Sequence, residues 1–226
     1  MMCATLERPE QQYFVLIGDV VASSKLDRDA RATLQQALVS FVDESSAAYR
    51  DHLLVPFNMT LGDEFQTVAR GLPFLTDLLW RMDEVFSPVR IRLGVGKGDL
   101  FTPVSNDTRR MDGPAFHRAR EAIDDALRTR RQSPVFRGFG QSEDVMLTGL
   151  TSLLHQVRSR MTTKQRQIVS ELRGGKTGQA AADTLGLTRQ RISLAASSVG
   201  WDAYRDGEAA LRAAIDMFAP EAPKEA

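Results

Sequence analysis

Two aspartates, Asp19 and Asp63, are the residues of this chain best placed by type and context to do chemistry. Asp19 follows Gly18 at the end of an apolar run, Tyr13 to Ile17, and Asp63 follows Gly62 at the join of two alternating segments. Brought to one edge, two carboxylates and a backbone carbonyl such as that of Val20 make a hard oxygen site. Such a site suits Mg2+ or Mn2+ carrying a nucleotide phosphate. The stretch Val20, Val21, Ala22, Ser23, Ser24 offers successive amide N–H groups to phosphate oxygens near a helix start, and Lys25 adds positive charge. Taken singly, each aspartate reads better as a turn cap or hairpin filler; the pair, in this order of elements, points to a metal–nucleotide site.

Periodicity indicates what must hold them. Tyr13 to Ile17 reads as a central strand, apolar on both faces. An amphipathic helix follows from Asp29 to Tyr49, carrying Leu34, Leu38, Phe41 and Val42 on one face. Val55, Phe57, Met59 and Leu61 alternate with polar residues up to Gly62-Asp63, and a second short run goes from Phe65 to Ala69: a hairpin with glycine supplying the positive φ. Pro73 precedes a second helical stripe, Leu75 to Phe86, and Ile91, Leu93 and Val95 alternate with Arg90 and Arg92 in a fourth strand. Strand, helix, hairpin, helix, strand is the ferredoxin-like α+β arrangement, an antiparallel sheet with helices on one face. A third helix begins at Gly113-Pro114 and runs to Arg128, and Val135-Phe136 adds an edge strand.

Beyond Asp144, a helix bearing Leu147, Leu150, Leu153, Leu154 and Val157 links this part to a series of shorter ones. Thr163 to Arg173, Gly178 to Leu185 and Arg189 to Ser198, with Gly186-Leu187-Thr188 as the turn, have the small-residue packing of a helix-turn-helix. Thr188 is a natural N-cap, which leaves Arg189, Gln190, Arg191 and Ser193 to enter a major groove, while Lys164, Arg166, Arg173 and Lys176 hold phosphates. The competing reading is a small helical bundle used for dimerisation. A last helix, Glu208 to Met217, is expected to cover the bundle after Trp201 and Tyr204. The resulting division is 1–142, an α+β domain; 143–160, a linking helix; 161–218, a small all-α domain; and 219–226, a disordered Ala/Pro/Glu tail.

The chain of 226 residues has formal net charge zero, but residues 158 to 194 are net +6 and residues 1 to 157 net −3. The basic part is the one read as DNA-binding. A single cysteine, Cys3, excludes an internal disulfide, and the first apolar run is too short to span a membrane, so the expectation is a cytoplasmic protein of bacterial type. Two glycine motifs are decoys. Gly174-Gly175-Lys176-Thr177 lies after a helix where a P-loop needs a strand, and Gly94, Gly96 and Gly98 lack the spacing of a dinucleotide fingerprint.

Gly18-Asp19, Leu61-Gly62-Asp63-Glu64-Phe65, Arg92-Leu93-Gly94-Val95-Gly96-Lys97-Gly98 and Gly113-Pro114-Ala115-Phe116-His117-Arg118-Ala119-Arg120 resemble the landmarks of class III nucleotide cyclases and diguanylate cyclases. They resemble the bacterial SatD family more closely. The resemblance, over residues 13 to 128, implies a cyclase or palm-type sheet, Asp19 and Asp63 as metal ligands, and Glu64 as the second acidic position. Lys97, Arg118 and Arg120 join the candidate phosphate contacts, with Arg109 and Arg110 in a wider anion-binding cluster, and His117 is a third catalytic candidate after Asp19 and Asp63. The departures are Met59 where cyclases place a base-selecting lysine, and His117 and Glu121 where they place an asparagine and an arginine that stabilise the transition state. Missing donors of that kind cost orders of magnitude in rate, so binding without turnover is the expectation. The sequence therefore reads as a homodimeric, ligand-responsive DNA-binding regulator. Its alternatives are a metal-dependent nucleotide cyclase or nucleotidyl-transfer enzyme, and an interaction scaffold.

Overall fold

Eight residues at the start of the sheet, Tyr13–Val20, form β1, with the apolar run from Phe14 to Ile17 buried on both faces. The computed structural model describes residues 12–21, 27–60, 62–87 and 89–218. Helix α1 (Arg28–Tyr49) opens on Asp27, whose carboxylate caps Ala30 N at 2.8 Å, and buries Leu34, Leu38, Phe41 and Val42. Strands β2 (Leu53–Met59) and β3 (Glu64–Ala69) form the expected hairpin, closed by Thr60 N donating to Glu64 O at 2.9 Å. Gly62 takes φ +63°, the left-handed conformation for which a glycine was expected there. Helix α2 (Leu75–Phe86) and strand β4 (Ile91–Gly98) complete the ferredoxin-like unit, in the spatial order β2-β3-β1-β4.

The structure corrects the sheet and its cover. Strand β5 (Val135–Arg137) pairs parallel to β4, so the five-stranded sheet is mixed, and helices lie on both faces. One face packs Phe14, Leu16, Phe65, Leu93 and Val95 against α1 and α2. The other packs Val15, Ile17 and Val68 against α3 (Pro114–Arg128). A strand apolar on both sides needs both covers, because uncovered apolar area loses about 25 cal/mol per Å2 of stabilisation.

Helix α3 lies directly on β4 because β4 presents glycines to it. A Cβ on Gly96 would sit 2.2 Å from Ala115 O and 2.3 Å from Ala119 N, and one on Gly94 2.5 Å from Ala119 O. The glycines rejected above as a nucleotide fingerprint are thus a seat for the Ala115 and Ala119 side of a helix.

Helix α4 (Gln141–Ser159) leads to α5 (Thr163–Arg173), α6 (Gly178–Leu185) and α7 (Arg189–Val199). These last three enclose a small cluster of Ile168, Ala181, Ala182 and Ile192. Thr162 and Gln165 make a reciprocal capping box on α5, and Gly186, at φ +63°, ends α6. The final helix, α8 (Trp201–Asp216), starts seven residues before the expected Glu208. Gly200, at φ +68°, both ends α7 and starts α8, so Trp201 and Tyr204 lie inside the helix. Tyr204, Leu211 and Ile215 join the same apolar cluster as Phe14 and Leu16, and Tyr204 meets Trp80 of α2 with ring centroids 6.3 Å apart. Apolar packing therefore continues across the sequence boundary drawn between 142 and 161.

Candidate functional site

Antiparallel pairing sets Asp19 opposite Glu64 of β3 and opposite Arg92 of β4. Directly paired residues share a face, so all three lie on the α3 side of the sheet, one step past the apolar pairs. Asp63 stands next to Glu64 at the hairpin join. At the hairpin end, Asp63 and Glu64 are both partly buried.

Asp19 Oδ2 accepts from Arg92 Nη2 at 2.5 Å. Burial raises the carboxyl's pKa, Arg92 pulls it down, and the neighbouring charges of Asp63 and Glu64 push it up again; it ends above its ordinary value. Asp19 is thus bonded to one guanidinium and stands near two further carboxylates.

Glu64 has a different role from the one the resemblance implied. Arg120 donates to Oε2 at 2.6 Å and to Oε1 at 3.0 Å, and Thr60 and Gln66 each donate to Oε1 at 2.8 Å. Burial alone would raise its pKa, but these bonds outweigh it and hold the carboxyl below its ordinary value. With both oxygens engaged, Glu64 anchors α3 to the hairpin and does not fit as a metal ligand. Arg120 is correspondingly occupied by Glu64.

Two buried polar atoms at this site have no partner among the described residues: Asp63 Oδ2, an acceptor, and Arg92 Nε, a donor. A buried polar group left unpaired costs about 1–3 kcal/mol, more if charged. An acceptor and a donor left unsatisfied on two residues that each neighbour Asp19 fit a ligand that brings both a cation and an anion. Among the described residues, no three His, Cys, Asp or Glu side chains form a metal-holding group. An all-protein cage is therefore not formed there. The donor set of Asp19 and Asp63 suits Mg2+ instead, which is commonly held by one or two carboxylates plus substrate phosphates.

Other candidates are not brought to this rim. Lys97 lies five residues from Arg92 along β4, about 17 Å at a strand's rise, and its ammonium sits over the Phe218 ring at 5.0 Å. Arg118 donates to Lys97 O at 2.7 Å and serves that far end of the sheet. His117 Nε2 is 2.8 Å from Asp112 Oδ1 and mostly exposed. Arg109 is paired with Asp107 at 2.8 Å. Val20 is buried, and Val21 N donates to Arg90 O at 2.8 Å, extending the sheet, so its N–H is engaged. The phosphate cradle at Ala22, Ser23, Ser24 and Lys25 falls outside the described residues. Arg92 was missed as a site residue; its signal was an arginine alternating with apolar residues on a strand flanked by helices.

On the C-terminal side, Thr188 Oγ1 caps α7 through Arg191 N at 3.3 Å, and the side chains of Arg189, Gln190, Arg191 and Ser193 are exposed. None of the four side chains has a hydrogen bond or ion pair to another described residue. Arg173, expected on phosphate, is not on that surface: its side chain is 10% exposed and paired with Glu208 at 2.9 Å. Arg166 likewise donates to Arg158 O at 3.1 Å, pointing toward α4.

A five-stranded mixed sheet of ferredoxin-like core, with an acidic rim at the end of its central strand, is the class of protein in hand. Residues 13–199 match the SatD family, and the chain belongs to it. A search of curated proteins returned no match. Among solved structures, the catalytic core of a rhodopsin-guanylyl cyclase with converted specificity, in complex with ATPalphaS, is 16% identical at TM-score 0.38, covering 51% of this chain and 72% of that one. A bacterial light-regulated adenylyl cyclase is 14% identical at TM-score 0.40, with 57% and 77% covered. A regulator of polyketide synthase expression from Bifidobacterium adolescentis is 17% identical at TM-score 0.28, with 93% and 80% covered. No helix among the described residues is long and apolar enough to cross a membrane.

Proposed function

We propose that this protein is a ligand-responsive DNA-binding regulator whose sheet binds a nucleotide or other phosphate ligand together with Mg2+ or Mn2+. The observation that carries ligand binding is the pair of buried unpartnered atoms of opposite kind at the Asp19 site, Asp63 Oδ2 and Arg92 Nε. The cation would be held by Asp19 and Asp63, where it would neutralise carboxylate crowding and phosphate charge. Arg92 would hold the anion from the other side. Binding is favoured over turnover because Arg120 is engaged by Glu64 and Arg118 is held at the far end of the sheet by Lys97 O, so among the described residues neither stands free to stabilise a developing negative charge.

DNA binding rests on α5 to α7 read as a helix-turn-helix. The turn at Gly186, the Thr188 cap and the unpaired exposed Arg189, Gln190, Arg191 and Ser193 suit entry of α7 into a major groove. Such proteins read paired half-sites, so the DNA-binding form is expected to be a homodimer.

Two measurements test the halves separately. Mn2+ with ATP or GTP is expected to raise the melting temperature of the wild-type protein, and Asp63→Asn to abolish that rise while leaving the metal-free protein folded; an unchanged rise removes Asp63 from the site. For DNA, Arg189→Ala and Arg191→Ala are each expected to weaken duplex binding by about 1–3 kcal/mol, read by fluorescence anisotropy at fixed salt. If neither changes affinity, α7 is not the reading helix. Formation of cyclic nucleotide or pyrophosphate from the triphosphate, lost in Asp63→Asn, would favour the enzyme reading.

A further inference from the structure

A cavity of about 170 Å3 lies at the junction of α2, the start of β4, α4 and α5, at the same end of the sheet as the acidic rim but lined by other residues. Asp83, Ser87, Arg90, His155, Ser159 and Arg166 are the polar side chains that matter here. The cavity is smaller than the roughly 300–1,000 Å3 of drug-sized ligand sites, so its occupant is small. Its wall contains an unsatisfied donor: Arg166 Nη1 is buried with no partner among the described residues. Nη2 of the same guanidinium is fixed on Arg158 O at 3.1 Å, so the group is held and one nitrogen left over.

The charge balance favours an anion. Asp83 is the acidic residue of the lining, and its Oδ2 accepts from the buried Arg158 at 2.6 Å. Arg90 and Arg166 remain as excess positive charge; Arg90 donates to the neutral Gln132 amide oxygen. Burial first, and then the charges of Arg158, Arg90 and Arg166, hold His155 below its ordinary pKa against the pull of Asp83, so the ring faces the cavity neutral. The hydroxyl of Ser87 adds a donor of the type that oxyanions accept from, whereas that of Ser159 already donates to Gln156 O at 3.2 Å.

We propose that this cavity binds a phosphate group, free or at the end of a small phosphomonoester, between Arg90, just before β4, and Arg166 of α5. Arginine is the side chain whose planar fork matches phosphate geometry. The site goes beyond the reading given above and does not require a metal. Occupancy ties the start of β4 to α5, which packs against α6 and α7 and so sets the position of the exposed α7 residues.

The test is calorimetric titration of the full chain with inorganic phosphate, and separately with glycerol phosphate, in EDTA at constant ionic strength. Saturable binding is expected, with a rise in melting temperature of roughly 5–10 °C at a hundredfold excess over Kd. Arg166→Gln and Arg90→Gln are each expected to weaken binding at least about tenfold, and Asp63→Asn to leave it unchanged. Tighter binding of glycerol phosphate marks a phosphomonoester site; equal binding marks free phosphate. Absence of saturable binding overturns the proposal. So does binding that survives both arginine variants, or that is lost in Asp63→Asn, since it then belongs to the acidic rim. Arg90 is exposed, so its variant gives a folded readout even if Arg166→Gln does not fold.

Discussion

Gly96→Val is expected to leave little folded protein. The first added carbon would already stand 2.2 Å from a carbonyl oxygen and 2.3 Å from an amide nitrogen of α3. Overpacking costs about 1–3 kcal/mol where side chains can rotate away. Here the obstacles are helix backbone, so α3 itself must lift off β4, and the loss should exceed about 4 kcal/mol of a total that is typically 5–15. Urea denaturation followed by circular dichroism measures it. Gly149 is the matched control, exposed inside α4 with nothing within 4 Å of an added Cβ. Gly149→Ala should stabilise the protein by about 0.5–1 kcal/mol. If both variants behaved alike, the close seating of α3 on β4 would be wrong.

Arg173→Ala is the second large effect, and it separates a core role from a phosphate-binding one. The guanidinium donates to both oxygens of Glu208, at 3.1 and 2.9 Å, and to Asp77 at 3.0 Å, and lies over the Trp80 ring at 4.6 Å. Tyr204 also donates to Glu208 at 2.6 Å, and the Glu208 side chain is only 9% exposed. Removing the arginine strands a buried carboxylate, which typically costs 3–5 kcal/mol. The expected result is a lowered urea midpoint in the absence of DNA. The double variant Arg173→Met with Glu208→Leu should recover most of the loss, because an apolar pair of similar volume replaces a buried ion pair without leaving a charge. A variant that kept wild-type stability and lost only DNA affinity would return Arg173 to the proposed DNA-binding surface.

Why Arg173 was misplaced in the sequence reading is instructive. It stands at a helix end between Leu172 and Gly174, which marks no partner, while the groups that bury it, Asp77, Trp80 and Glu208, come from helices far along the chain. Long-range pairing of that kind leaves no local periodic trace. Local patterns were more legible. The strand at Tyr13, the hairpin with its left-handed Gly62, the helices at Thr163, Gly178 and Arg189 and the Thr188 cap all follow from spacing, capping residues and glycine chemistry. The parallel pairing of β5 was not legible, since three residues give too short a run to fix a direction. The second helical layer was implied by the two-sided apolar run of β1, yet the expected one-faced arrangement overrode it. At the acidic rim, Asp19 and its strand neighbours could be placed from element order. That Arg92 would bond Asp19, and that Arg120 would occupy Glu64, depended on cross-strand register and on which way α3 turns its arginines.

Helix α8 bears on how the chain could be re-engineered. Its Tyr204, Leu211 and Ile215 fill the layer beneath α2 and α4 while its first turn leaves α7 directly at Gly200. Moving α5 to α8 to another protein would therefore carry away that apolar stripe bare, and would uncover the faces of α2 and α4 that it fills. The same splice that removes the short helices also opens the core beside the sheet, so inheritance and design alike must move the two as one cassette.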